Sequence, residues 1–147
     1  MKTVEDLLKV KGRDIWSVAA DNRVYEALQL MAEKEIGALL VLEEGRLIGI
    51  VSERDYARKV ELEGKCATDT LVHEIMTTRV AYVRPDYTVE ECMALMTDKR
   101  IRHLPVLDGD RLVGVISIGD VVKAVISEQQ FQIQQLENYI TGGYRID

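Results

Sequence analysis

Two Ser-x-x-Asp groups carry the chemistry that this sequence offers most plainly: Ser52 and Asp55 in "GIVSERD", and Ser117 and Asp120 in "GVISIGD". Each follows a short apolar run and opens a segment with helical patterning, so each sits where a strand turns into a helix. Such a turn presents free N–H groups and the positive end of a helix dipole, which suits a phosphate. A carboxylate beside it can take the paired hydroxyls of a ribose, as an acidic residue does in dinucleotide folds. Serine is also a preferred N-cap, and an acid three residues later suits the first helical turn, so a plain capping reading fits the same residues. Recurrence weighs toward binding: the same group returns at the same spacing after the same glycine-bearing run.

The recurrence extends along the chain. At a displacement of 65 residues, Val18 falls on Val83, Asp21 on Asp86, Val24 on Val89, Ile36 on Ile101 and Val41 on Val106. Gly49, Ser52 and Asp55 fall on Gly114, Ser117 and Asp120, and no gap is needed from Ile15 opposite Val80 to Arg58 opposite Lys123. Upstream, VEDLL at 4–8 resembles VHEIM at 72–76, displaced by 68. A unit of about sixty residues buries too little surface to be secure alone. Two copies sharing one core in a pseudo-two-fold body are therefore expected.

Within a copy, Val24, Ala27, Leu28 and Met31 repeat at helical spacing, with Asp21 as the expected N-cap and Asp86 in its place in the second copy. Apolar runs at 38–42 and 104–107, turns at 43–45 and 108–110, and second runs at 47–51 and 112–116 predict two hairpins. Gly49 and Gly114 inside the second strands predict a bulge, or close approach by another backbone or a ligand. The unit reads strand–helix–strand–strand–helix, an α/β (α+β) fold. It divides the chain into repeat one at 1–65, repeat two at 66–127 and a helical extension at 128–147.

That extension continues the helix after Asp120. Val122, Ile126, Ile133, Leu136 and Ile140 form one apolar stripe, with Gln129 at the missing position. A stripe must be covered. The cover is the chain's own body, a second subunit of a symmetric dimer, or another protein; the second subunit is the expectation.

Composition narrows the class. The 147 residues carry a net charge of −6, which argues against a nucleic-acid partner. One Trp and one Phe leave the core to aliphatic residues. Cys66 and Cys92 have no metal-site spacing, and Cys92 reads as a small buried hydrophobe. No secretory leader and no apolar run of membrane length is present, so a reducing cytoplasm is the expected compartment. No Ser–His pair recurs, no metal set exists and no phosphate-binding Gly-x-x-x-x-Gly-Lys loop occurs, so an enzyme is not expected.

The order strand–helix–strand–strand–helix, with Gly-x-x-Ser-x-x-Asp at the last junction of both copies, resembles the CBS domain, the family named for cystathionine β-synthase. The resemblance covers the chain to about residue 126 and implies a stand-alone tandem pair, a Bateman module. In that family two repeats associate through their sheets and leave clefts that take adenosine nucleotides: AMP foremost, also ADP, ATP or NAD(H), and sometimes S-adenosylmethionine. No cofactor is required. Carried over, Asp55 and Asp120 would hold a ribose diol, with Ser52 and Ser117 near ribose or phosphate. Gly37 and Ala38 would leave room for a flat adenine, while Arg102 and His103 would offer cationic donors, joined by Arg54. The Asp120 cleft, with Ser117 and Arg102, is the expected better site. The sequence departs from the family where a hydroxyl residue usually precedes a proline in the first strand: it has Arg84 before Pro85, and Ala19 and Ala20 in the other copy. The resemblance further implies a homodimer formed through the helices of the pair and the C-terminal tail, and a regulated partner on a separate chain. A structural adaptor indifferent to nucleotides is the alternative.

Overall fold

Thr3 starts the first helix of the computed structural model, which describes residues 2–140. In α1 (Val4–Lys11) the Thr3 Oγ1 accepts the Asp6 N–H, and the Asp6 carboxylate returns to the Thr3 N–H. Strand β1 (Ser17–Val18), helix α2 (Val24–Lys34) and a hairpin of β2 (Ala38–Glu43) and β3 (Arg46–Ser52) follow. Helix α3 (Glu53–Tyr56) then widens into a π-turn over Ala57–Glu61. The second copy contributes α4 (Val72–Ile75), α5 (Val89–Lys99), β4 (His103–Asp108), β5 (Arg111–Ser117) and the long α6 (Ile118–Ile140).

The two copies keep one register. β1 lies parallel to β2 with Val18 beside Val41; in the second copy only a bridge remains, Val83 beside Val106. Pro105 explains the loss. Its counterpart Leu40 donates its N–H to the Trp16 carbonyl, and proline has no N–H to donate. The hairpins agree to the bulge, with a register shift between Val41 and Leu42 in one and between Val106 and Leu107 in the other.

Each copy lends a helix to the other. Val4, Leu7 and Leu8 of α1 are buried among Val83, Val89, Cys92, Leu104 and Ile116 of the second copy. Val72 and Ile75 of α4 are buried among Val24, Ala27, Leu39 and Val51 of the first. Short bridges pin the exchange, Thr3 to Thr88 and Leu71 to Arg23. The strand glycines allow it. A Cβ on Gly49 would stand 2.8 Å from Met76 Sδ and 3.0 Å from the Thr77 carbonyl, and one on Gly114 would stand 2.7 Å from Leu8 Cδ2. The close approach is thus made by the exchanged segment, beside the bulge.

The expected helix caps are corrected. Asp21 and Asp86 are not caps, because the helices begin too far beyond them. Thr88 caps α5, its Oγ1 accepting the Glu91 N–H. Arg23 stands at the start of α2, where the Glu26 carboxylate accepts its N–H. Of the covers considered for the tail stripe, the chain's own body is not the one among the described residues, since Val122 is 44% exposed and Ile140 80%.

Candidate functional site

The last rung of each hairpin builds the site. His103 pairs with Ser117, and the Ile118 N–H donates to the Arg102 carbonyl at 2.8 Å. In the first copy Ala38 pairs with Ser52, and the Glu53 N–H donates to the Gly37 carbonyl at 3.0 Å. Arg102 and His103 therefore adjoin Ser117 and Asp120, as Gly37 and Ala38 adjoin Ser52 and Asp55.

Both Ser-x-x-Asp groups are capping boxes. Asp55 Oδ2 accepts the Ser52 N–H at 2.9 Å and the Ser52 hydroxyl at 3.0 Å, while Ser52 Oγ accepts the Asp55 N–H. Asp120 Oδ2 accepts the Ser117 N–H at 2.8 Å, and Ser117 Oγ accepts the Asp120 N–H. Capping alone does not require burial; Asp6 and Glu91 do the same work while exposed. Asp55 is only 9% exposed, and the Asp120 side chain 21%. Each therefore has a second, cationic partner, as a buried charge requires.

Those partners have different origins. Lys59, one turn further along the same helix, places Nζ 3.1 Å from Asp55 Oδ1 and 2.9 Å from the Ile75 carbonyl at the end of α4. Lys11, at the end of α1, places Nζ 2.6 Å from Asp120 Oδ2 and 2.8 Å from the Val115 carbonyl of β5. In both halves one ammonium ties the carboxylate to the junction with the exchanged helix. Burial tends to raise the Asp120 pKa, but the hydrogen bonds from Lys11 and Ser117 outweigh it and hold the carboxyl below its usual range.

His103 does not match the cationic donor expected of it. Burial first, then the Lys11 ammonium, push its pKa below the ordinary 6.5 against the pull of Asp120, so the ring is mainly neutral at pH 7. Arg102 is exposed. Arg54 reaches across the halves: its guanidinium makes a long 3.4 Å contact with the Arg100 carbonyl, two residues before Arg102.

The rims differ in sign. Glu35, Gly37 and Glu53 of the first copy become Arg100, Arg102 and Ile118 in the second. Glu35 and Glu53 border a hollow of about 300 Å³ floored by Leu28, Met31 and Ile36, a poor setting for a phosphate. A wider concavity, about 570 Å³, opens at the far ends of the hairpins beside Asp108, Asp110 and Arg111. It includes no Ser-x-x-Asp residue, so the chemistry points to the other end of the strands.

Lys11, Lys59 and Arg100 escaped the sequence reading. An i,i+4 pairing of Asp55 with Lys59 was legible in principle. Lys11 is 109 residues from Asp120, and no local pattern joins them. Cys92 is buried as expected, and burial pushes its thiol up to about 11, away from reactivity. Cys66 and His73 lie at the surface. Among the described residues no cluster of three or more His, Cys, Asp or Glu gathers for a metal, and no helix is long and apolar enough to cross a membrane.

The model of the CBS domain family matches residues 3–62 and 72–127. The mitochondrial CBS domain-containing protein CBSX3 of Arabidopsis thaliana is 41% identical over 152 residues, which cover 97% of this chain and 73% of that protein. The structure of a protein with CBS domains from Burkholderia ambifaria is similar at a TM-score of 0.85 and 56% identity, over 87% of this chain and 96% of that one. A hexameric CBS-CP12 protein from bloom-forming cyanobacteria gives 0.71 at 30% identity, over 82% and 70%. CBS-domain pairs are generally regulatory and ligand-binding. With its two matched repeats, paired Ser-x-x-Asp junctions and exchanged helices, this chain belongs to the CBS domain family.

Proposed function

We propose that this pair is a regulatory module that binds an adenine nucleotide, AMP foremost and otherwise ADP, ATP or NAD(H), in the cleft at Asp120 and relays its occupancy to a separate protein. The carrying observation is the reversal of charge between the copies. A half-buried carboxylate suited to a ribose diol stands beside the Lys11 ammonium and adjoins Arg102, with Arg54 reaching the Arg100 carbonyl on the same rim, whereas Glu35 and Glu53 border the hollow of repeat one. A nucleotide needs both signs at once, and the surroundings of Asp120 offer them without the two glutamates that border the first-copy hollow. The ligand would act by favouring one arrangement of the module over another.

The module works as a homodimer in this reading. The exposed stripe of α6 continues past the matched repeat, and Met93 of α5 and Ile118 are part-exposed as well. A second copy is the symmetric cover. Self-association of the hexameric cyanobacterial relative supports it.

Isothermal calorimetry with AMP, ATP and NADH tests the nucleotide reading. Asp120→Ala removes the diol acceptor and is expected to weaken binding at least about tenfold. Glu91→Ala, which removes an equivalent exposed cap, controls for lost helix stability and should bind as the wild type does. A specific observation favours the adaptor instead: a lysine already pairs with each aspartate. No heat with any ligand, and no thermal shift, would favour that reading and end the nucleotide one.

A further inference from the structure

We infer that Lys11 selects phosphorylated ligands at Asp120: its ammonium clasps the carboxylate in the ligand-free chain and turns to the ligand's phosphate when a ribose displaces it. This inference rests on the nucleotide reading above.

Lone pairs set the argument. Asp120 Oδ2 accepts both the Ser117 N–H and the Lys11 ammonium, at 2.8 and 2.6 Å. Among the described residues no donor reaches Oδ1. A bidentate grip on a diol uses both oxygens, so Oδ2 must lose one donor. The Ser117 N–H is fixed by the backbone at the helix start; Lys11 is on a flexible stem. Lys11 therefore yields.

It does not leave. An ammonium has three donors, and one of those on Lys11 rests on the Val115 carbonyl at 2.8 Å. With that anchor kept, Nζ of a one-third-exposed side chain remains beside the carboxylate it released. The ribose is neutral and occupies the Asp120 lone pairs, so the donors of Lys11 and Arg102 lack an anionic acceptor until an anion arrives. A phosphate linked to that ribose supplies it.

The other half shows what a fixed pair looks like. Asp55 Oδ2 takes two donors from Ser52, and Oδ1 takes Lys59 from the same helix, so both oxygens are filled from within one element. Asp120 keeps one oxygen open, and its clasp comes from a different element.

The test is calorimetric titration of the full chain and of Lys11→Met with adenosine and AMP, with inorganic phosphate as a probe. The wild type should prefer AMP over adenosine by at least about tenfold, the scale of a charge-assisted contact. Lys11→Met should bind adenosine more tightly, having no competitor for Asp120, while AMP gains nothing, so the preference collapses. An unchanged preference, with binding still dependent on Asp120, overturns the role of Lys11 alone. No binding by either protein overturns the nucleotide reading and this inference with it. Should Lys11→Met melt early, the 15N signal of the Lys11 ammonium in the wild type decides: displacement on adding AMP supports exchange of partners, and an unmoved signal overturns it.

Discussion

Asp55 and Asp120 do the same work for the backbone and different work for their surroundings. Each closes a helix start, and each needs a cation because its carboxylate is drawn out of water. Around Asp120 that cation also presses on a third group. Lys11 lowers the pKa of both the carboxyl and the neighbouring His103, which burial already disfavours as a cation. Stability should follow these shifts. As pH falls through 6.5, the unfolded chain gains a proton on His103 that the folded chain refuses until its own lower pKa is reached, so stability declines across that window. The Asp120 contribution is complete above the ordinary value of 3.8 and is lost as pH falls through the depressed folded value. Melting temperatures from pH 8 downward should hold level to about 6.5 and then fall. In His103→Gln the first fall should be missing. A variant that keeps the same slope would place that proton elsewhere.

At the level of elements, the exchanged helices decide which strand positions can carry a side chain. Gly49→Ala forces a methyl against Met76 and the Thr77 carbonyl; Gly114→Ala meets only the end of Leu8. A backbone carbonyl that accepts the Ile50 N–H in an isolated bridge cannot step aside as a side-chain end can. Gly49→Ala should cost about 1–3 kcal/mol and Gly114→Ala less, by denaturant titration. Equal costs would show that the buried Leu8 has no room to turn. The strands and hairpins themselves were legible, because the apolar runs and turn residues at 38–52 and 103–117 are local signals. So was the bulge, from the glycines. The exchange was not. The apolar residues of α1 and α4 announce that a face is buried and say nothing of which copy buries it. The helix starts were misread for a related reason: aspartate is a common cap, but Thr88 stands immediately before α5, and distance along the chain decided it. Lys11 was hidden because its charge is one among many, and only the exchange brings α1 to β5.

For the whole molecule, the exchange makes the two repeats one interlocked body, since neither core is complete without a helix from the other. In the proposed function a ligand at Asp120 would have a direct mechanical route into the body: Lys11 is the last residue of α1, and α1 is part of the second core. What that body presents outward is α6, which runs beyond the core with its apolar stripe exposed. Stripe positions at steps of three, four and seven suit a helix partner of the same kind, and a second copy brings an identical stripe. Replacing Ile133 and Leu136 together by Asp puts like charges where two stripes would meet. Neither side chain supports the fold of a single chain, as both are more than half exposed. The double variant should therefore sediment as a monomer where the wild type sediments as a dimer or a larger assembly, and its far-UV spectrum should show both repeats intact. If the variant instead keeps the wild-type mass, the stripe does not hold the subunits together. It would then be left to face the regulated protein, and the dimer would rest on the shorter α5–α6 surface around Met93 and Ile118.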